Sequence, residues 1–235
     1  MNKYIIILII SSITISCDKK EDNKPCDVLV DNVYQFPELP SNHNWTSEQV
    51  YEYLNLPEDI CKCIGTDGLI ETCMNYPYLS LIWAGASPQS GYLLLKEKFR
   101  GFDELEERED AGSNFLVKYK QISIDYDSGL SSEQIADYTF ELYAFELIFS
   151  QTSILNNLNN DEKIELVETC LDKYNSKLDH PNNAYSSTIE GSTFILRNLM
   201  LMDNFKTQDD FYCLDCNYIN LIIESTSDYL IYLKS

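Results

Sequence analysis

From Asn44 onward one pattern recurs along the chain. A serine, threonine or asparagine precedes apolar residues spaced three and four apart, and a proline or glycine follows. That spacing gathers the apolar side chains on one face of a helix, and the flanking residues supply its start and stop. In NWTSEQVYEYLNLP, Thr46 or Ser47 caps, Val50, Tyr51 and Leu54 share a face, and Pro57 stops the helix. In GTDGLIETCMNYP, Thr66 caps, Leu69, Ile70, Cys73 and Tyr76 form the face, and Pro77 ends it. Ser87 with Pro88 is a favoured helix opening, and Gly101 breaks the run that follows. SSEQIADYTFELYAFELIF turns Ile135, Tyr138, Leu142, Phe145 and Phe149 inward. NDEKIELVETCLDKYNSKL opens on acids, which suit a helix N-terminus. YLSLIWAG reads as a buried helix closed near Gly85, and STFILRNLMLMDNF as the central helix. No stretch alternates apolar and polar residues long enough for a sheet, and only 8 glycines are available for turns. The expectation is an all-α fold of about nine helices in antiparallel hairpins, as an irregular bundle or short solenoid.

The first residues carry a different signal. Lys3 precedes the apolar run Ile5–Ile10, and Ser16 precedes Cys17. This is the form of an export leader, too short to span a bilayer, which takes about 20 apolar residues. Thr14-Ile15-Ser16-Cys17 resembles the lipobox of bacterial lipoproteins, with Thr14 in place of the usual leucine. The resemblance implies cleavage before Cys17, diacylglycerol on its thiol, and acylation of the new amino terminus, with palmitate as the expected chain. Each buried CH₂ adds about 0.8 kcal/mol, so several chains form a durable anchor. Asp18, Lys19, Lys20, Glu21 and Asp22 look like the short signal that sends some Gram-negative lipoproteins to the cell surface, and equally form a solvated tether. The expected organisation is a signal peptide over 1–16, a lipidated tether over 17–26 and one all-α domain over 27–235. The proline-punctuated PCDVLVDNVYQFPELPSN is expected to lie along that domain as an extended strap.

Charge narrows the partners. A net charge of -21 excludes the basic footprint that nucleic acid requires and suits cationic partners instead. The 17 tyrosines are expected in helix seams, ring buried and hydroxyl wet. The chain has 2 histidines, His43 and His180, both in turn-like surroundings, which disfavours histidine-dependent catalysis.

Apart from Cys17, the cysteines are Cys26, Cys61, Cys63, Cys73, Cys170, Cys213 and Cys216. In an exported chain disulfides are permitted, and an odd number leaves at least one thiol free or paired outside the chain. Plain disulfides and buried thiols are expected, with Cys73 and Cys170 in the core. A zinc site would instead need Cys61, Cys63, Cys213 and Cys216 in one coordination shell. No metal and no cofactor is expected. The acidic run FDELEERED reads as a solvated face, with Phe102 and Leu105 inward and Arg108 pairing with Glu104. The calcium-loop-like segments at Asp125 and Asp127 and at Asn157 and Asn159 lack the required glycine, so they read as capped links.

The segments LIETCMNYPYLSLIWAG and GFDELEEREDAGSNF carry the form TC-x-x-YP followed by GF-x-EL-x-x-R-x-DA. In this the mature chain resembles uncharacterised secreted or lipid-anchored all-α bacterial proteins. The resemblance implies an all-α fold and transfers no site residues. The expected function is an outer-membrane lipoprotein, held by its lipid at Cys17 on the cell surface or periplasmic face. It would act as a non-catalytic binding or scaffold module, with a protein partner possible and nucleic acid excluded. The alternative is a hydrolase using a carboxylate pair among Asp103, Glu104 and Glu107.

Overall fold

The computed structural model describes residues 25–124, 130–179, 188–211 and 218–235. Its helices are α1 (Ser47–Tyr53), α2 (Glu58–Cys61), α3 (Thr66–Met74), α4 (Pro88–Lys98), α5 (Gly101–Glu107), α6 (Ala111–Gln121), α7 (Ser132–Phe149), α8 (Thr152–Leu155), α9 (Asn160–Leu178), α10 (Glu190–Met202) and α11 (Tyr218–Leu233). Nine of these eleven have seven residues or more, and no strand occurs among the described residues. The fold is all-α, as the helical spacing implies.

Helix starts follow the local chemistry. Thr46, Ser87, Ser131 and Asn159 each cap a helix, and each closes a reciprocal box with the side chain three residues on. Thr66 departs from expectation. Gly65 holds the cap position of α3, and the Thr66 hydroxyl donates to Asp110 at 2.6 Å. The carboxylate is the stronger acceptor, so the side chain ties the start of α3 to the start of α6. YLSLIWAG also differs: it forms one 3-10 helix, Leu79–Trp83. Residues three apart eclipse in such a helix. Leu79 and Ile82 therefore turn inward while Trp83 stays 52% exposed, its ring stacked on Tyr143 at 4.6 Å.

One core cluster extends from Val50 to Leu233. α10 sits at its centre, packed against α7, α9 and α11, with Ile195, Leu196, Leu199 and Met200 fully enclosed. Beside it, Phe115 stacks on Phe149 at 5.1 Å and Tyr119 on Phe145 at 5.9 Å, locking α6 to α7.

Ahead of α1 the chain forms the strap. A 3-10 turn, Pro25–Val28, leads into a two-residue reversal in which Val30 and Val33 exchange backbone hydrogen bonds of 3.0 and 2.8 Å. Its central residues, Asp31 and Asn32, have φ of 51° and 64°, a conformation that Asp and Asn tolerate best among side-chain-bearing residues. The Tyr34 amide donates to Thr72 Oγ1 of α3 at 3.0 Å, and Phe36 packs against Tyr76 and Phe99. Cys26 is bonded to Cys63, so the folded chain is already fastened at Cys26.

Gly68 makes this close approach possible: a Cβ there would lie 1.9 Å from the Asn32 carbonyl oxygen. Alanine is the better helix former by about 1 kcal/mol. Here it would collide with backbone that a turn and a disulfide hold in place. Gly68→Ala should therefore lower stability by about 1–3 kcal/mol in urea unfolding. A neutral or stabilising result would mean that the strap yields freely.

Candidate functional site

Three carboxylates among the described residues, one wholly buried and two half-buried, are held in the same way. Three enclosed tyrosines, Tyr92, Tyr119 and Tyr229, each donate a hydroxyl to one oxygen of a carboxylate whose other oxygen takes a lysine. Tyr92 reaches Glu106 Oε1 at 2.5 Å while Lys96 holds Oε2 at 2.7 Å. Tyr229 reaches Asp203 Oδ2 at 2.7 Å while Lys163 holds Oδ1 at 2.5 Å. Tyr119 reaches Glu146 Oε1 at 2.6 Å while Lys177 holds Oε2 at 2.5 Å. The expected wet hydroxyls are thus, in these seams, turned onto carboxylates, because a buried phenol needs an acceptor and an ionised one is strongest.

The third of these clasps lies deepest, and both charged side chains are wholly enclosed. Ser192 adds a bond to Glu146 Oε1 at 2.8 Å and accepts from Lys177 at 3.1 Å. Lys177 also donates to the Thr188 carbonyl at 3.3 Å. The carboxylate fits because residue 191 is glycine, where a Cβ would meet Glu146 Oε2 at 2.0 Å. Burial first, and the Glu146 charge second, hold the Tyr119 phenol far above its ordinary value. The same two causes raise the thiol of Cys170, which is buried nearby. This cluster joins α6, α7, α9 and α10. Its groups satisfy one another and are closed to solvent, so its chemistry is that of a structural tie.

The residues singled out in the sequence are dispersed. Asp103 lies 3.2 Å from Lys96, and Glu104 is bound by Arg108 at 2.7 Å, as the helical spacing implies. Arg108 extends on to the Cys61 carbonyl at 2.6 Å. Glu107 is exposed, and Phe102 and Leu105 are fully buried. The acids named for a hydrolase therefore hold helices together or face water. His43 accepts from the Trp45 amide at 3.4 Å, and His180 lies outside the described residues.

The cysteines resolve in part. Cys63 is consumed by the bond to Cys26, so it is not available to the four-cysteine zinc shell weighed as an alternative. Cys61, Cys73 and Cys170 are buried thiols, and burial raises Cys61 and Cys73 above the ordinary thiol value. No group of three metal-ligating side chains occurs among the described residues. Cys17, Cys213, Cys216, Asp125 and Asp127 lie outside them. Among the described residues, no helix is long and apolar enough to cross a membrane.

Among several open clefts in the described residues, one runs as a groove along α7. Its first lobe, about 340 Å³, lies between α3, α6 and α7, floored by Met74, Ile122, Leu142 and Phe145, with Glu71, Lys118, Tyr138 and Glu141 around it. A second lobe, about 360 Å³, continues past Asn75 and Glu141 to Pro77, Ser80, Asp137 and Phe140. Lys118 is already engaged by Asp67 at 2.6 Å and Glu71 at 2.7 Å. Asp137 and Glu141, one helical turn apart and exposed, have no cation in ion-pair range among the described residues. Burial in the groove wall, and then the charge of Asp137, hold the Glu141 carboxyl above the ordinary carboxylate value. Sequence reasoning did not single out these two acids; the only signal was their spacing of four on a helix whose intervening residues are largely apolar.

Comparison with protein-family models, with curated proteins and with solved structures finds no match to this chain.

Proposed function

We propose that this chain is an outer-membrane lipoprotein, acylated at Cys17, that acts as a non-catalytic binding or scaffold module through the groove along α7. The anchor half of this reading rests on the leader and on Thr14-Ile15-Ser16-Cys17. The binding half is carried by one observation. The carboxylates Glu106, Glu146 and Asp203 are each matched by a lysine and a tyrosine, whereas Asp137 and Glu141 rim a cleft of mixed polar and apolar lining with no such match among the described residues. A cleft of a few hundred Å³ with few convergent polar groups is the usual form of a binding site. The module would sit on the cell surface or the periplasmic face, held a short tether away from the lipid.

The anchor is tested by replacing the acylated thiol. Cys17→Ser should move the protein from the membrane fraction to the soluble fraction of disrupted cells. Retention of the variant in membranes after a carbonate wash would contradict the reading.

A further inference from the structure

The two lobes of the groove meet at Met74, Asn75 and Glu141. From Asp137 to Phe145, α7 supplies about 12 Å of wall at 1.5 Å per residue. That length accommodates roughly four residues of extended peptide. Resting on the binding-module reading, we propose that the groove seats a short peptide segment of a partner protein, bearing a lysine or arginine beside an apolar side chain. The cation lies against Glu141 and Asp137, and the apolar side chain lies on Met74 and Tyr138.

Charge decides the class of occupant. Two carboxylates one turn apart on a helix repel each other. A neutral apolar ligand would strip water from them and return nothing, and an anionic one would add repulsion. A cation offsets both the repulsion between the two carboxylates and the desolvation that raises Glu141. Lys118 does not serve from within, since Asp67 and Glu71 already hold it. The whole chain reinforces the choice, because a net charge of -21 concentrates cations at its surface. Size decides between a peptide and a small amine. An amine fills one lobe, whereas consecutive side chains of a peptide reach both and keep the cation at the shared Glu141.

The test uses the full acylated chain in phosphatidylcholine nanodiscs, with empty nanodiscs as the blank. The probe is the dye-labelled peptide acetyl-Leu-Lys-Phe-Arg-Leu-Lys-amide, read by fluorescence anisotropy up to millimolar concentration. Its partner probe carries glutamine at each cationic position. The cationic peptide should bind at least tenfold more tightly than the neutral one. The pair Asp137→Asn and Glu141→Gln, both at exposed positions, should weaken it about tenfold or more and flatten its salt dependence. Met74→Trp, which fills the junction of the lobes, should abolish binding of both peptides. If both peptides bind equally and Met74→Trp still blocks both, the groove stands as a binding site and the cationic occupant is wrong. Phenethylammonium matching the peptide in affinity also overturns the peptide occupant. Absence of binding, or binding that Met74→Trp leaves unchanged, overturns the occupant and the groove together.

Discussion

Replacing Lys177 with methionine should cost the folded chain about 3–5 kcal/mol, the range for breaking one side of a buried ion pair. Lys177 and Glu146 are both wholly enclosed, 2.5 Å apart, with Tyr119 and Ser192 on the second carboxylate oxygen. Methionine keeps the length of the lysine stem but leaves the Glu146 charge without its cation in a setting that water does not reach. That uncompensated charge dominates the loss. Tyr119→Phe removes only one hydrogen bond to a charged acceptor and should cost less, about 1.5–3 kcal/mol. Removing both charges together, with Glu146→Leu and Lys177→Met, should recover part of the loss, since the uncompensated charge is gone while the Tyr119 hydroxyl keeps only Ser192 as a partner. Urea unfolding followed by circular dichroism reads all three, with an unchanged slope marking a true stability effect. A loss under 1 kcal/mol for Lys177→Met would mean that the site opens to water and the tie is not closed.

Removing the Cys26–Cys63 disulfide should cost up to about 4 kcal/mol on the chain-entropy account of loop closure. The bond closes a loop with a sequence separation of 37, and that loop contains the strap. In the double variant Cys26→Ser and Cys63→Ser the helices should persist. The strap then depends on Leu29, Tyr34, Phe36 and Leu39 against the core and on the contact of Asn32 with Gly68. It should become open to proteolysis between residues 25 and 45 while α3 to α11 stay protected. The disulfide also bears on the proposed anchor. Eight residues lie between Cys17 and Cys26, nine Cα steps with a reach of at most about 30 Å. With Cys26 fastened, the domain stays within that distance of the membrane; without it, the strap's length is added. Stability within 1 kcal/mol of the parent, with the strap still protected, would contradict this account.

Local signals in the sequence carried far. Ser87 with Pro88, Thr46 and Ser131 each open a helix where their chemistry places one, because a cap is decided by residues within one turn. The apolar spread of STFILRNLMLM correctly marks α10 as central, and Cys73 and Cys170 are core thiols. What was not legible depends on residues far apart in the chain. Glu146 stands alone in the apolar run YAFELIF, a sign that it would need a buried partner. Its partners Tyr119, Lys177 and Ser192 come from three other helices, which no spacing rule connects. The link from Cys26 to Cys63 is of the same kind. YLSLIWAG misled because its composition argues for burial, while a 3-10 turn inside short flanks leaves Trp83 outside. The groove was equally hidden: Asp137 and Glu141 read as ordinary exposed acids until α3 packs across from them.

The central claim is a helical domain tethered through a lipid at its mature amino terminus and held by its strap. An intact-mass measurement of the protein purified from membranes, after alkylation without reductant, tests it most directly. The expected chain begins at Cys17, carries the mass of a diacylglycerol and a further acyl chain on that residue, and shows Cys26 and Cys63 unalkylated. A chain that keeps its leader, or begins at Cys17 with a free alkylatable thiol, would contradict it.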